Sequence, residues 1–148
     1  MDLLLILAAV VFAWLLFKPS PSSDTAAASA PSSNNPLDNI TEAVARIEGY
    51  YQNGSLAQRT NNPGNIGTYG GKVASYADAG NGWDALMLWV QTHAQQNPNW
   101  DFYDMFHYYL TGDTLSNGGP GQTPDQYAEY VANYVGVDPT TPVSSVLG

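Results

Sequence analysis

The chain has 148 residues, enough for one domain and a tail, and carries 4 lysines and arginines against 13 aspartates and glutamates. A formal charge of −9 argues against nucleic acid as a partner, because phosphate binding needs clustered basic side chains. There is no cysteine, which excludes a disulfide framework and a thiolate metal site. With only two histidines as well, we expect neither a metal nor another cofactor.

An apolar segment lies near the start of the chain. Residues 3–17 are apolar without interruption, between Asp2 and Lys18. As a helix the segment spans roughly 22 Å, short of a bilayer core of about 30 Å, but Trp14 and Lys18 at the interface can offset part of the deficit. We predict a membrane anchor over residues 1–18, with a single transmembrane helix that contacts lipid through residues 3–17. The alternatives are a cleaved secretory signal, because residues 28–30 (Ala-Ser-Ala) resemble a cleavage site, and a buried or oligomerising helix.

A linker and one domain follow the anchor. Residues 19–36 are rich in Ser, Pro and Ala and hold no aromatic or large aliphatic side chain, so they are predicted to form a disordered linker. Residues 37–148 are numerous enough for one hydrophobic core. Their first segment predicts a helix that begins at Asp38 or Asn39 and ends before Gly49, because its apolar residues follow a helical period.

For the rest of the domain the sequence predicts helices around one irregular lobe. Residues 60–76 are rich in turn-forming residues and predict a loop with a small hairpin. Three further helices and a final turn are then predicted: 79–96 after Asp78, about 102–111, a helix from Pro124 to Gly136 that Thr123 caps, and a short turn at Pro142. We therefore predict a mainly helical α+β domain with a small hairpin lobe.

Glu48 is the candidate acid. On a helical projection it lies at about 80° from Ile40, on the margin of the apolar stripe and in the last turn of the first helix. Partial burial and the negative end of a helix both disfavour the ionised carboxylate and so raise its pKa, as a general acid requires near neutral pH. The alternative is an ordinary ion pair with Arg46 or Arg59.

Two other segments are unusual in composition. The amide-rich residues 58–67 can form turns stabilised by their own side chains, but they also offer uncharged donors and acceptors for hydroxyl and N-acetyl groups. The tyrosines at 127, 130 and 134 lie on one helix and can be core residues or ligand contacts. His93 and His107 are expected to be ordinary helix residues.

Five segments together resemble a lysozyme-like group of phages and bacteria that is similar to lytic transglycosylases and goose-type lysozymes. They are residues 48–50 (Glu-Gly-Tyr), 59–66 (Arg-Thr-Asn-Asn-Pro-Gly-Asn-Ile), 82–86 (Gly-Trp-Asp-Ala-Leu) and 125–131 (Asp-Gln-Tyr-Ala-Glu-Tyr-Val) with 136–139 (Gly-Val-Asp-Pro). The resemblance covers about residues 37–146. It departs from the group at Thr60, where another Asn is common, and at Gly67, where a basic residue is more typical.

The resemblance implies a lysozyme-like α+β fold and cleavage of the β-1,4 bond between N-acetylmuramic acid and N-acetylglucosamine. It places the catalytic acid at Glu48 and substrate contacts at Asn62, Asn65, Tyr127 and Tyr130. Peptidoglycan strands are then the expected partner, together with other proteins of a virus particle. The expected location is a virion membrane or a host inner membrane, from which the domain acts on the periplasmic wall in phage entry or lysis.

The reaction type follows from the carboxylates. A glycosidase with two carboxylates needs the second one about 5–5.5 Å from the first for retention, or about 6.5–9.5 Å for inversion, and the sequence offers none with a suitable local context. We therefore expect a substrate-assisted reaction that gives a 1,6-anhydro product, which would make the chain a lytic transglycosylase. A hydrolytic muramidase is the nearest alternative. A catalytically inactive protein that binds peptidoglycan in a virion is the alternative from another class.

Overall fold

The computed structural model describes residues 33–67, 72–111 and 123–148. Within these ranges 60% of the residues are helical. The helices are α1 (Pro36–Ile47), α2 (Leu56–Arg59), α3 (Ala79–Gln96), α4 (Phe102–Thr111), α5 (Pro124–Val135) and α6 (Val143–Leu147). The short α2 lies before the predicted loop and hairpin, and the sequence pattern gave no sign of it.

Helix α1 begins earlier than its apolar pattern predicts. Asn35 is the N-cap, because its side-chain oxygen accepts the Leu37 N–H at 3.0 Å, and Pro36 follows in the first turn, where no N–H partner is needed. Asp38, one of the two predicted caps, lies inside the first turn and accepts hydrogen bonds from Ser33 and Asn35 at 3.0 and 3.2 Å. The last residues of the predicted linker thus form the cap of α1.

The long helices in the middle of the domain begin and end where the sequence predicts. Asp78 caps α3 by accepting the Asn81 N–H at 2.9 Å, and α3 covers residues 79–96 as expected. Thr123 and Gln126 form a reciprocal capping box at the start of α5. Gly136, with φ of 84°, ends α5 in the left-handed conformation that glycine adopts without steric cost.

The core forms where α1, α3, α4 and α5 meet. Helix α1 packs against both α3 and α5, and α4 packs along α5. Most of the largest fully buried apolar side chains come from these four helices: Ile40, Val44, Leu86, Val90, Phe102, Met105, Phe106 and Val131. Because α1 is central, its C-terminal end with Glu48 is held against the other elements of the domain.

The α+β prediction was wrong, because the described residues contain no sheet. Their only strand-like pairing is an isolated bridge between Gly67 and Val73. The physical reason is the Asn62 side chain, which replaces a strand partner: its amide donates to Ile66 O and Ala74 O at 3.0 Å and accepts the Ile66 N–H at 2.9 Å. The expected hairpin tip, residues 68–71, lies outside the described residues.

The predicted membrane anchor, residues 1–18, also lies outside the described residues, as do residues 19–32 of the predicted linker. Across the three described ranges, no helix is both long enough and apolar enough to span a bilayer. The described part of the chain is a helical domain with one irregular lobe. This lobe carries Asn65, one of the predicted site residues.

Candidate active site

Glu48 lies where α1 ends. It is the C-cap residue, and its N–H donates to Val44 O at 2.9 Å. Gly49 follows with φ of 73°, and the Tyr50 N–H then bonds back to Ala45 O at 2.9 Å. This left-handed glycine closes the helix and turns the chain away, so no further turn of helix covers the Glu48 carboxyl.

Two side chains that are distant in sequence bind the Glu48 carboxyl, one at each oxygen. Asn65 Nδ2 donates to Oε2 at 2.8 Å, and the Tyr127 hydroxyl donates to Oε1 at 2.9 Å. Asn65 belongs to the irregular lobe and Tyr127 to α5. The fold thus brings three of the five predicted site residues into direct contact.

The surroundings of Glu48 favour its protonated form. Burial raises the pKa of Glu48, and this outweighs the hydrogen bonds from Asn65 and Tyr127, which lower it. A raised pKa favours the protonated carboxyl, which is the form that delivers a proton to a leaving group.

The ion pairs that offered an alternative role for Glu48 are not formed. The Arg46 Nε pairs with Glu42 at 2.8 Å, and the Arg59 guanidinium donates to Gly54 O at 2.8 Å. Glu48 therefore has uncharged hydrogen-bond partners, and the sequence alternative of a structural salt bridge does not apply.

A cleft of about 360 Å³ opens at Glu48. Its described lining residues are Glu48, Gly64, Asn65, Ile66, Gly67, Trp89, Tyr109 and Leu110. Glu48 is the only acidic residue among them and no basic residue is present, while Ile66, Trp89 and Leu110 are apolar. No group of three histidine, aspartate or glutamate side chains in the described ranges is arranged to hold a metal ion. The cleft thus combines one acid, amide and hydroxyl groups, and apolar surface.

The loop that carries Asn65 has an unusual backbone. Asn61 and Asn65 have φ of 51° and 46°, in the left-handed region that asparagine tolerates better than most residues. Between them, Gly64 fits where no side chain could: an added Cβ would lie 2.8 Å from Leu86 Cδ1 and 2.9 Å from the Tyr109 hydroxyl. The Tyr109 hydroxyl also donates to the Gly64 carbonyl, which ties the loop to α4.

The two remaining predicted site residues lie elsewhere. Asn62 is fully buried, and both hydrogens of its amide are bound inside the lobe. It therefore holds the loop in shape and has no donor to offer a ligand. Tyr130 is half-buried on α5, where its ring stacks on Tyr134 with centroids 6.5 Å apart, and it is not among the described residues that line the cleft.

Trp89 and Tyr109 line the cleft but were not predicted to do so. Trp89 faces Tyr109 edge to face, with ring centroids 4.8 Å apart. Helix α4 holds four adjacent aromatic or imidazole rings, at Phe106, His107, Tyr108 and Tyr109, so its sequence does not show which ring faces the cleft. His107 instead bonds Asp125 at 2.6 Å, and this contact links α4 to α5.

The raised pKa of Glu48 predicts a pH-dependent effect on stability. A folded-state pKa above the ordinary value of 4.5 means that stability is lost as pH rises from that value through the folded pKa. Glu48→Gln cannot ionise, so it should unfold at a higher temperature than the wild type at pH 7. The difference should vanish near pH 4, where both side chains are neutral. Thermal unfolding between pH 4 and 8 measures it, and a gap independent of pH would contradict the burial argument.

Two substitutions of Asn65 should separate the effect of its side-chain amide from the effect of its left-handed backbone. Asn65→Gly keeps the left-handed backbone and removes the donor to Glu48, so we expect a modest loss of turnover, roughly tenfold, with little loss of stability. Asn65→Ala removes the same donor but strains the backbone, and it should be less stable by about 1 kcal/mol. Chemical denaturation and initial rates of the two variants check this. Equal stabilities would show that the backbone conformation is not constrained.

Comparison of the chain with protein-family models, with curated proteins and with solved structures finds no match in any of the three. The candidate function therefore depends on the site itself and on the motifs of the sequence.

Proposed function

We propose that the chain cleaves the β-1,4 bond between N-acetylmuramic acid and N-acetylglucosamine in peptidoglycan, with Glu48 as the acid. One observation carries the proposal: Glu48 is half-buried at the edge of a cleft, and its carboxyl, held by two uncharged donors, has a raised pKa. The proposal is also supported by the motifs at residues 48–50 and 59–66, which resemble those of peptidoglycan-cleaving enzymes.

The lining of the cleft suits an N-acetylated sugar. A sugar presents an apolar face and a polar edge, and the cleft presents the apolar Ile66, Trp89 and Leu110 beside the amide of Asn65. Leu110 is 40% exposed, so part of this apolar surface is accessible to a ligand. The volume of about 360 Å³ lies at the lower end of the range of small-molecule sites, as expected for one subsite of a longer groove.

The reaction we propose uses one carboxyl twice. Glu48 gives its proton to the glycosidic oxygen, while the acetamido oxygen of the sugar stabilises the positive charge that develops at its anomeric carbon. Glu48, now ionised, then accepts the proton of the 6-hydroxyl as that oxygen bonds to the anomeric carbon, which yields a 1,6-anhydro sugar. The described lining of the cleft holds no second carboxylate for a two-carboxylate mechanism, which favours this lytic transglycosylase reaction over hydrolysis.

Product analysis tests this proposal. Purified sacculi are incubated with the full chain, and the released fragments are separated by mass. Anhydro ends would support the lytic transglycosylase, whereas reducing ends alone would show a hydrolytic muramidase. Binding to sacculi without any release would reject both enzymatic reactions and favour an inactive peptidoglycan-binding protein.

A further inference from the structure

A row of hydroxyl groups leads from the Glu48 carboxyl into the domain. The Tyr127 hydroxyl donates to Glu48 Oε1 at 2.9 Å. The rings of Tyr127 and Tyr109 are in contact, with centroids 5.8 Å apart, and each phenol affects the pKa of the other. The row ends where Tyr109 donates to the Gly64 carbonyl. Since a carbonyl can only accept, the hydrogen of Tyr109 is committed to Gly64 and its oxygen is left to accept.

The two direct partners of Glu48 differ in what they can do when it gains a proton. A protonated carboxyl has a hydrogen to donate, so one of its partners must become an acceptor. The Asn65 amide nitrogen can only donate. The Tyr127 oxygen can accept, provided that the hydrogen of Tyr127 finds another oxygen, and the Tyr109 oxygen is the one beside it.

We propose that Tyr109 is a positioning residue that allows Glu48 to hold its acid proton, because Tyr109 accepts the Tyr127 hydrogen when Glu48 is protonated. This inference builds on the proposed function, in which Glu48 is the acid. In the protonated state, Glu48 donates to Tyr127, Tyr127 to Tyr109, and Tyr109 to Gly64. When the proton passes to the glycosidic oxygen, the Tyr127 hydrogen turns back to the new carboxylate. Each phenol keeps its own hydrogen, and only Glu48 gains or loses a proton.

The polar groups that surround Glu48 come from three parts of the fold. Tyr127 contacts Glu48 from α5, and Asn65 contacts it from the irregular lobe. Tyr109 lies on α4 behind Tyr127, and the nearby Tyr76 raises the pKa of Tyr109. Burial raises the pKa of both Tyr109 and Tyr127 well above the ordinary value of 10.0. Both phenols therefore stay protonated and neutral near pH 7.

The titration of Glu48 in two variants of the full chain tests the proposal. In Tyr109→Phe the Tyr127 hydrogen loses its acceptor, which destabilises the protonated form of Glu48. The proton affinity of Glu48 should therefore fall about fivefold, which corresponds to the free energy of about one hydrogen bond. In Tyr127→Phe the carboxylate loses its charge-assisted donor, so the proton affinity should rise by a similar factor or more. Carboxyl ¹³C NMR measures both, with Glu48→Gln identifying the signal, and thermal unfolding verifies that each variant is folded.

Tyr108→Phe is the matched control, because Tyr108 is the neighbouring phenol on α4 and contacts the rings of His93 and Trp100 instead. It should leave the titration of Glu48 unchanged. An unchanged or higher proton affinity in Tyr109→Phe would overturn the proposal, even if turnover fell, since Tyr109 would then only anchor the loop. If the titrations shift as expected but the wild-type chain releases nothing from sacculi, the proposed function fails and the hydroxyl row stands.

Discussion

Glu48→Gln should lower the rate of peptidoglycan cleavage by a factor of about 10² to 10⁴, the usual contribution of a positioned general acid. Glutamine keeps the length of the side chain and an oxygen for the Asn65 amide to bond, but it has no proton to give to a leaving group. The loss should therefore appear in kcat, while binding to sacculi stays nearly unchanged. Release of soluble fragments and sedimentation with sacculi measure the two quantities separately.

Glu129→Gln is the matched control for this substitution. Glu129 is exposed on α5, the helix that carries Tyr127, and its contact with the Tyr103 hydroxyl is long, at 3.4 Å. The same change of charge at Glu129 should leave cleavage and folding unaltered. Wild-type rates in Glu48→Gln would remove Glu48 from the reaction, and equal losses in both variants would point to a general effect of charge.

Gly82→Ala should have the largest effect on stability. A Cβ at Gly82 would lie 1.8 Å from the Asn61 carbonyl oxygen and 3.0 Å from Pro63 Cδ, so α3 and the loop would have to separate. Overpacking of this kind costs about 1–3 kcal/mol of the free energy of unfolding. The displaced loop carries Asn65, so turnover should fall as well. Urea denaturation and fragment release provide the two measurements.

The control for Gly82→Ala lies two residues earlier on the same helix. A Cβ at Gly80 would meet only the Asp78 carboxylate oxygen, at 3.3 Å, and Gly80 is exposed. Because alanine is a better helix former than glycine, Gly80→Ala should change stability by less than about 1 kcal/mol in either direction. If Gly82→Ala were as stable as the wild type, the close contact between α3 and the loop would be wrong.

The close approach at Gly82 also explains one of the sequence motifs in physical terms. Residues 82–86 (Gly-Trp-Asp-Ala-Leu) and residues 59–66 are separated along the chain, but Gly82 lies against Asn61 and Leu86 lies beside Gly64. The absent side chains allow helix and loop to touch. The resemblance noted in the sequence thus falls on residues that shape the lobe as well as on residues that line the cleft.

The sequence alone was sufficient for the long helices and for the candidate acid, but not for the short α2. Local signals decide both: a cap such as Asp78 or Thr123 and a stop such as Gly136 act within one turn of the residues they affect. The position of Glu48 follows from helical periodicity and the glycine beside it. These features depend on neighbours in the chain and can be read without the fold.

The tertiary structure alone decided which of the predicted site residues bind the Glu48 carboxyl and that Tyr109 lies beside them. Asn62 and Asn65 belong to the same amide-rich segment, yet one is buried within the lobe and the other binds the acid, because the backbone turns left-handed at Asn65. Tyr109 and Tyr127 meet only because α4 packs along α5. The hairpin prediction failed for the same reason: a buried side-chain amide satisfied the backbone groups that a strand would have paired. Such contacts join residues far apart in the chain, and local sequence patterns carry no information about them.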